Sequence, residues 1–503
     1  MEPLCTTRQG QVRGRESVTT GVTSFLGIPY ATAPRFGPPG AVEPWEGVRP
    51  AVTYGPTAPK APYAPPLDAL LPENVVPGAP GESCLNLNVW TPSPGPGARL
   101  PVMVWVHGGA FANGSGSTSA YDGTAFARDG VVCVTLNYRL GVEGFCHLDG
   151  VPDNRGLLDQ IAALEWVRDN IASFGGDPDR VTVFGESAGA MSIGVLLGME
   201  RAKGLFRRAI LQSGGAHHFL PPASARLITA RLAAKLGVAP TAEGLAGVPA
   251  ARLLPAQAEL RAEIVARPDR ALWGEAAVNM MPFEPVRPRR ILPGPDCGVD
   301  LLVGSNREEY RLFLVPSGRL ELLTWARLRA TARAYGLDPG PALALYGEGR
   351  AGATPGELTP GELTPGELTP GELYDALVTD WFYRIPAIRL AEAVPGSYVY
   401  EFAWRSPRFG GRLGACHSAE LGFVFDRLRD PVYAPMLGED APQDVADAMH
   451  GAWVAFATTG DPGWRPYDRD TRTTMVFGAE GAAVAEPVLD PGAATREIWE
   501  GLR

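Results

Sequence analysis

The 503-residue chain predicts an α/β fold with a large, mostly parallel central sheet and helices on both faces. Three observations carry that prediction. Residues 102–106, 131–136 and 181–184 are continuous apolar runs dominated by valine, the pattern of strands buried on both faces. Residues 124–128 and 157–170 space their apolar side chains as helices do. Strands and helices alternate through glycine-rich turns, as in parallel strands joined by crossovers.

The elements follow in chain order. The first hundred residues are rich in proline and glycine with short apolar runs at 23–28 and 85–90, which predicts an antiparallel edge and long surface loops. After the three runs above, further strands are expected at 209–212, 301–303 and 398–402. Helices are expected at 223–236, 324–335 and 445–458, the last closing before the turn Gly460-Asp461-Pro462-Gly463. Thr-Pro-Gly-Glu-Leu occurs four times in tandem over 354–373. Each copy suits a helix start, with Thr at N-cap, Pro at N1 and Glu at N3. Only the last precedes a helical sequence, 374–383, so the first three copies are expected to form a mobile surface loop. The whole chain, 1–503, reads as one α/β unit with insertions.

Composition excludes several classes. Acidic residues outnumber basic ones 55 to 45 with no block of like charge, which argues against a nucleic-acid partner. No stretch approaches the roughly 18 apolar residues needed to cross a bilayer, so no membrane partner is expected. The start of the chain lacks a basic segment followed by an apolar run. Six cysteines are scattered without metal-ligand spacing and read as thiols. A cytoplasmic location is expected.

The chemistry is concentrated at Gly185-Glu186-Ser187-Ala188-Gly189, between the run 181–184 and a helical segment. A G-x-S-x-G sequence in a strand–turn–helix context lifts a serine hydroxyl above a sheet edge, and glycines on either side relieve the crowding of the sharp turn. Glycine is frequent enough here for such a match to arise by chance, but the flanking strand and helix argue against that. The loop His107-Gly108-Gly109-Ala110-Phe111 follows the strand 102–106, where backbone N–H groups can receive an oxyanion. Its donors would be Gly109 and Ala110, with Ala188 after the nucleophile. This is the motif set of the α/β-hydrolase fold, in which the acid follows the serine and the histidine follows the acid. His107 belongs to the loop, and His147, His217 and His218 precede any plausible acid. His450 sits inside a helix, where a packed histidine is the better reading. His417 remains as the base. The acid is expected in the turn after the strand 301–303, at Glu308 or Glu309, and spacing does not choose between them.

Nearly the whole chain resembles the type-B carboxylesterase/lipase family, which includes cholinesterases and bacterial para-nitrobenzyl-type esterases. The resemblance rests on Phe25-Leu26-Gly27-Ile28-Pro29-Tyr30-Ala31, Glu82-Ser83-Cys84-Leu85-Asn86-Leu87-Asn88-Val89, Asn137-Tyr138-Arg139, Phe174-Gly175-Gly176-Asp177-Pro178 and the extended nucleophile motif. It implies a Ser187–Glu309–His417 triad acting on small-molecule carboxylic esters through an acyl-enzyme, with no metal or organic cofactor. It also implies ion pairs Arg35–Glu82 and Arg139–Asp159. Three features depart from the family pattern. The neighbourhood 54–60 holds no cysteine to pair with Cys84, Ala110 replaces a glycine, and Glu143 interrupts an aromatic run. Segment 56–80 also lacks the apolar run of a lipase lid.

Overall fold

The computed structural model describes residues 2–78, 82–287, 292–348 and 368–502. Eleven strands form its main sheet. In chain order they are β3 (Arg15–Glu16), β4 (Thr23–Pro29), β6 (Asn86–Thr91), β7 (Leu100–Val106), β8 (Val132–Leu136), β9 (Gly176–Glu186), β10 (Arg208–Gln212), β11 (Asp300–Asn306), β12 (Tyr398–Phe402), β13 (Thr473–Phe477) and β14 (Ala485–Leu489). A separate three-stranded sheet joins β1 (Leu4–Thr7), β2 (Gly10–Arg13) and β5 (Val48–Pro50).

The spatial order of the main sheet is β14-β13-β12-β11-β10-β9-β7-β8-β6-β4-β3. Pairing is parallel from β8 through β13. It is antiparallel at β6–β8, β4–β6 and β3–β4 on one side and at β13–β14 on the other. The antiparallel edge expected from the first hundred residues is therefore present. The opposite edge was not anticipated: β13 is a short buried run, and β14 carries Pro487, which an edge strand tolerates.

Register places the chemistry. Val106 pairs with Gly185, Leu211 with Gly185 and Gln212 with Gly304. The carboxyl ends of β7, β9, β10 and β11 thus finish side by side, and the loops leaving them share one rim, where ligands of open α/β sheets bind.

The helices mostly match their sequence signals. The segments read at 157–170, 223–236, 324–335 and 445–458 appear as Arg155–Asn170, Pro222–Leu236, Trp325–Ala334 and Gln443–Thr459. A helix at Ala250–Ala266 was missed because Pro255 lies inside it. The last Thr-Pro-Gly-Glu-Leu copy starts the helix Pro370–Thr379 with a complete capping box, Thr369 and Glu372 serving each other's backbone. Its continuation was read as ending at residue 383; instead a π-helical turn, Asp380–Arg384, leads into the helix Ile385–Ala393. The first three repeat copies lie outside the described residues, apart from Leu368.

Buried polar groups tie the rim to the sheet. Asn137 receives the Gly116 N–H at 2.9 Å and donates to Asn86 and Ser117. Thr135 and Asn88 both donate to the Gly116 carbonyl. Arg139 grips Asp159 with Nε 2.8 Å from Oδ2 and Nη2 2.7 Å from Oδ1, and it also donates to the Gly37 carbonyl. That ion pair is the one the resemblance implied. Arg35 sets its Nε 3.0 Å from Glu143 and donates to the carbonyls of Ala246 and Val248. The unexpected acidic residue thus helps hold the N-terminal loop to the helical layer. Among the described residues no helix is long and apolar enough to cross a membrane.

Removing one partner of a buried ion pair strands the other charge. Arg139→Met is expected to cost about 3–5 kcal/mol, read as a lowered midpoint of chemical denaturation. An unchanged midpoint would show that the pair contributes nothing.

Candidate active site

Ser187 leaves the end of β9 at φ 55°, ψ −124° and caps the helix Ala188–Leu196. A non-glycine residue there is strained, and its surroundings hold it. Its N–H donates to the Gln212 carbonyl at 2.9 Å, and its carbonyl accepts from Met191 N–H at 2.8 Å. The turn lies hard against β7. A Cβ on Gly189 would stand 2.0 Å from the Val106 carbonyl oxygen, and one on Gly185 2.6 Å from the same atom. The two glycines therefore serve packing as much as backbone freedom.

The loop after β7 runs through left-handed backbone at Gly109, Ala110 and Phe111, with φ of 115°, 53° and 58°. Gly109 turns its carbonyl inward to accept from the N–H groups of Ala112 and Asn113. The N–H groups of Gly109 and Ala110 donate to no protein acceptor among the described residues, and Ala188, at the first helical position, has no intrahelical acceptor. All three belong to the rim where Ser187 opens into a cavity. His107 is structural: it stacks on Tyr138 with centroids 4.4 Å apart, and burial pushes its pKa down to about 3.

The turn after β11 separates the two glutamates. Glu308 is engaged elsewhere, accepting from Ala415 N–H at 2.9 Å and pairing with Arg311 at 2.9 Å and with Arg405. Glu309 is fully buried and places Oε2 2.6 Å from His417 Nδ1, while Asn306 N–H donates to its other oxygen at 2.8 Å. Arg311 in turn meets Asp375 of the repeat-capped helix at 3.2 Å, so the last repeat copy supports this turn from below.

His417 Nε2 faces Glu186 Oε1 at 3.0 Å, and its ring packs against Tyr383 and Phe313 at 4.8 and 5.5 Å. Ser187 Oγ has no protein hydrogen-bond partner among the described residues. Ser187, His417 and Gly109 all line one cavity with about 1210 Å³ of open space, its solvent-facing mouth included. His450 is a packed histidine, Nδ1 2.7 Å from the Val424 carbonyl and Nε2 3.0 Å from Asp129.

Sequence reasoning missed a buried carboxylate network behind these residues. Glu186 accepts from Ser418 Oγ at 2.7 Å, and Glu420 accepts from Asn306 Nδ2 at 2.6 Å and Gln212 Nε2 at 3.1 Å. Burial raises Glu186 and Glu420 to about 7 and Glu309 to about 8; hydrogen bonds from Ser418 and Asn306 work against the rise. The available signal was proximity: Glu186 is the variable position of the nucleophile motif, and Glu420 lies three residues after His417. Segment 56–80 was read as lacking a lid, yet Leu70, Leu71 and Glu73 form part of the cavity wall.

The model of the "Carboxylesterase family" matches residues 1–486. The chain belongs to the carboxylesterase family. It is a carboxylic ester hydrolase of the serine type, with the fold of that family. The chain is 38% identical to the para-nitrobenzyl esterase of Bacillus subtilis (strain 168) over 504 residues, covering 95% of each. It is 33% identical to the phenmedipham hydrolase of Pseudarthrobacter oxydans, covering 97% of this chain and 98% of that one. A crystal structure of a Geobacillus stearothermophilus carboxylesterase superposes with a TM-score of 0.79 at 34% identity, covering 99% of this chain and 100% of that one.

A methyl at position 189 has no room without moving β7 away from the nucleophile turn. Gly189→Ala is expected to cost more than about 3 kcal/mol, seen as a lowered thermal midpoint or loss of soluble protein. A midpoint equal to wild type would mean that the turn relaxes freely.

Proposed function

We propose that Ser187 is the nucleophile of this esterase, His417 its general base and acid, and Glu309 the carboxylate that orients His417. The observation that carries the reading is the convergence of Ser187, His417 with Glu309 behind it, and the unengaged N–H groups of Gly109 and Ala110 on one cavity, with the Ala188 N–H directly after the serine. When an ester enters, His417 Nε2 moves from Glu186 toward Ser187 and takes the hydroxyl proton as Oγ bonds to the carbonyl carbon. The three N–H groups receive the oxyanion. The tetrahedral adduct collapses, the bond to the alkoxy oxygen breaks, and His417 passes its proton to the departing alcohol. Water, deprotonated by the same histidine, then attacks the acyl-enzyme and releases the acid. The substrates proposed are small uncharged or carboxylated esters, since the cavity wall is largely aromatic and aliphatic. Six free thiols, including the half-buried Cys84, support a reducing, cytoplasmic setting.

With para-nitrophenyl butyrate, Ser187→Ala is expected to lose about 10⁴-fold or more in kcat. Glu309→Gln is expected to lose about 10²–10⁴-fold. Glu308→Gln should keep kcat within about tenfold of wild type while lowering thermal stability. Equal kinetic loss in the two glutamate variants would overturn the assignment of Glu309.

The buried carboxyls set opposite pH trends for rate and stability. Activity needs Glu309 ionised to orient His417, so kcat/KM is expected to rise with pH and level off above about pH 8. Stability runs the other way. Carboxyls raised from 4.5 to about 7 bind protons more tightly when folded, so their contribution is complete below 4.5 and lost as pH rises through about 7. Wild type is therefore expected to lose thermal midpoint, relative to Glu420→Gln, between about pH 4.5 and 7. Parallel midpoints would contradict this account of the cluster.

A further inference from the structure

The helix Ala250–Ala266 buries Leu253, Ala256, Gln257, Leu260 and Ile264 and contributes Arg261 to the cavity wall. Gln257 fastens it beside the oxyanion loop by accepting from Val142 N–H at 3.1 Å. Arg261 stands one turn further on, on the same face, half-buried and lining the cavity. Every other charge on this helix is engaged. Arg252 donates to the Leu236 carbonyl, and Glu259 and Glu263 both hold Lys235. Arg261 has no ion pair and no hydrogen bond among the described residues.

The other titratable groups of the cavity wall have a titratable partner beside them. Glu73 faces Lys60 at 3.7 Å and Glu186 faces His417 at 3.0 Å. The positive field of Arg261 reaches the phenols of Tyr63, Tyr310 and Tyr383, which share the cavity, and Tyr383 packs on His417. A guanidinium held among aromatic walls, with five donors and no acceptor, is suited to a planar anion.

We propose that Arg261 is a specificity residue that binds a free carboxylate on the ester substrate, so that the enzyme favours esters bearing a second, unesterified carboxyl group. The inference rests on the esterase reading. The carboxylate could lie on the acyl side, as in monoesters of dicarboxylic acids, or on the alcohol side, and substrate pairs distinguish the two.

The test compares kcat/KM for mono-para-nitrophenyl glutarate against para-nitrophenyl valerate, and for 4-acetoxybenzoate against phenyl acetate. Wild type, Arg261→Met and Arg261→Lys are measured at low and high salt. The charged-to-neutral ratio is expected to fall about tenfold or more in Arg261→Met, mainly through KM, in one pair. That pair assigns the side. Arg261→Lys should retain part of the ratio, and salt should erode it in wild type. Neutral-ester turnover reports whether each variant is folded. Ratios equal in wild type and Arg261→Met for both pairs, with neutral turnover present, would overturn the role of Arg261 and leave the esterase reading intact. Absence of wild-type turnover on every substrate would overturn both.

Discussion

The site depends on how closely the end of β7 approaches the turn that follows β9. The Val106 carbonyl lies against Gly185 and Gly189, leaving no room for a side-chain carbon at either position. This contact holds Ser187 at a backbone conformation that non-glycine residues rarely adopt, and it sets the oxyanion loop next to the serine. Parallel register does the rest. Once β7, β9, β10 and β11 end together, residues far apart in sequence meet without long excursions of the chain. The buried hydrogen bonds of Asn88, Thr135 and Asn137 keep the loop from drifting off that rim.

A second constraint is electrostatic. Glu186, Glu309 and Glu420 are buried around one histidine, an arrangement in which burial works against the ionisation of each carboxyl. Neutral amide and hydroxyl donors from Asn306, Gln212 and Ser418 make the burial tolerable. Arg311 and Arg405 hold Glu308, and that division of labour between adjacent glutamates keeps the positive charges away from His417.

Several features of this arrangement were legible in the chain itself. Valine-rich runs marked the buried parallel strands, and the Gly-x-Ser-x-Gly turn marked the nucleophile because few other local sequences suit so sharp a reversal. The capping box of the last repeat copy was readable because capping is a local interaction between residues three apart. The helix Ala250–Ala266 and the strands β13 and β14 were not readable. An internal proline and short edge runs weaken local signals that tertiary packing then overrides.

The sequence by itself determined the fold class and singled out the turn 185–189, the loop 107–111 and, by chain order, His417 as candidates, since each rests on local geometry, periodic burial or order along the chain. The residues alone left Glu308 and Glu309 open and the family resemblance pointed to Glu309; the contact of Glu309 with His417 belonged to tertiary structure. So did the carboxylates behind His417, the partner of Arg35 and the inward face of Arg261. The physical reason is the same in each case. Which charge meets which depends on distances between segments more than a hundred residues apart, as with Glu309 and His417, and spacing along the chain carries no information about those distances.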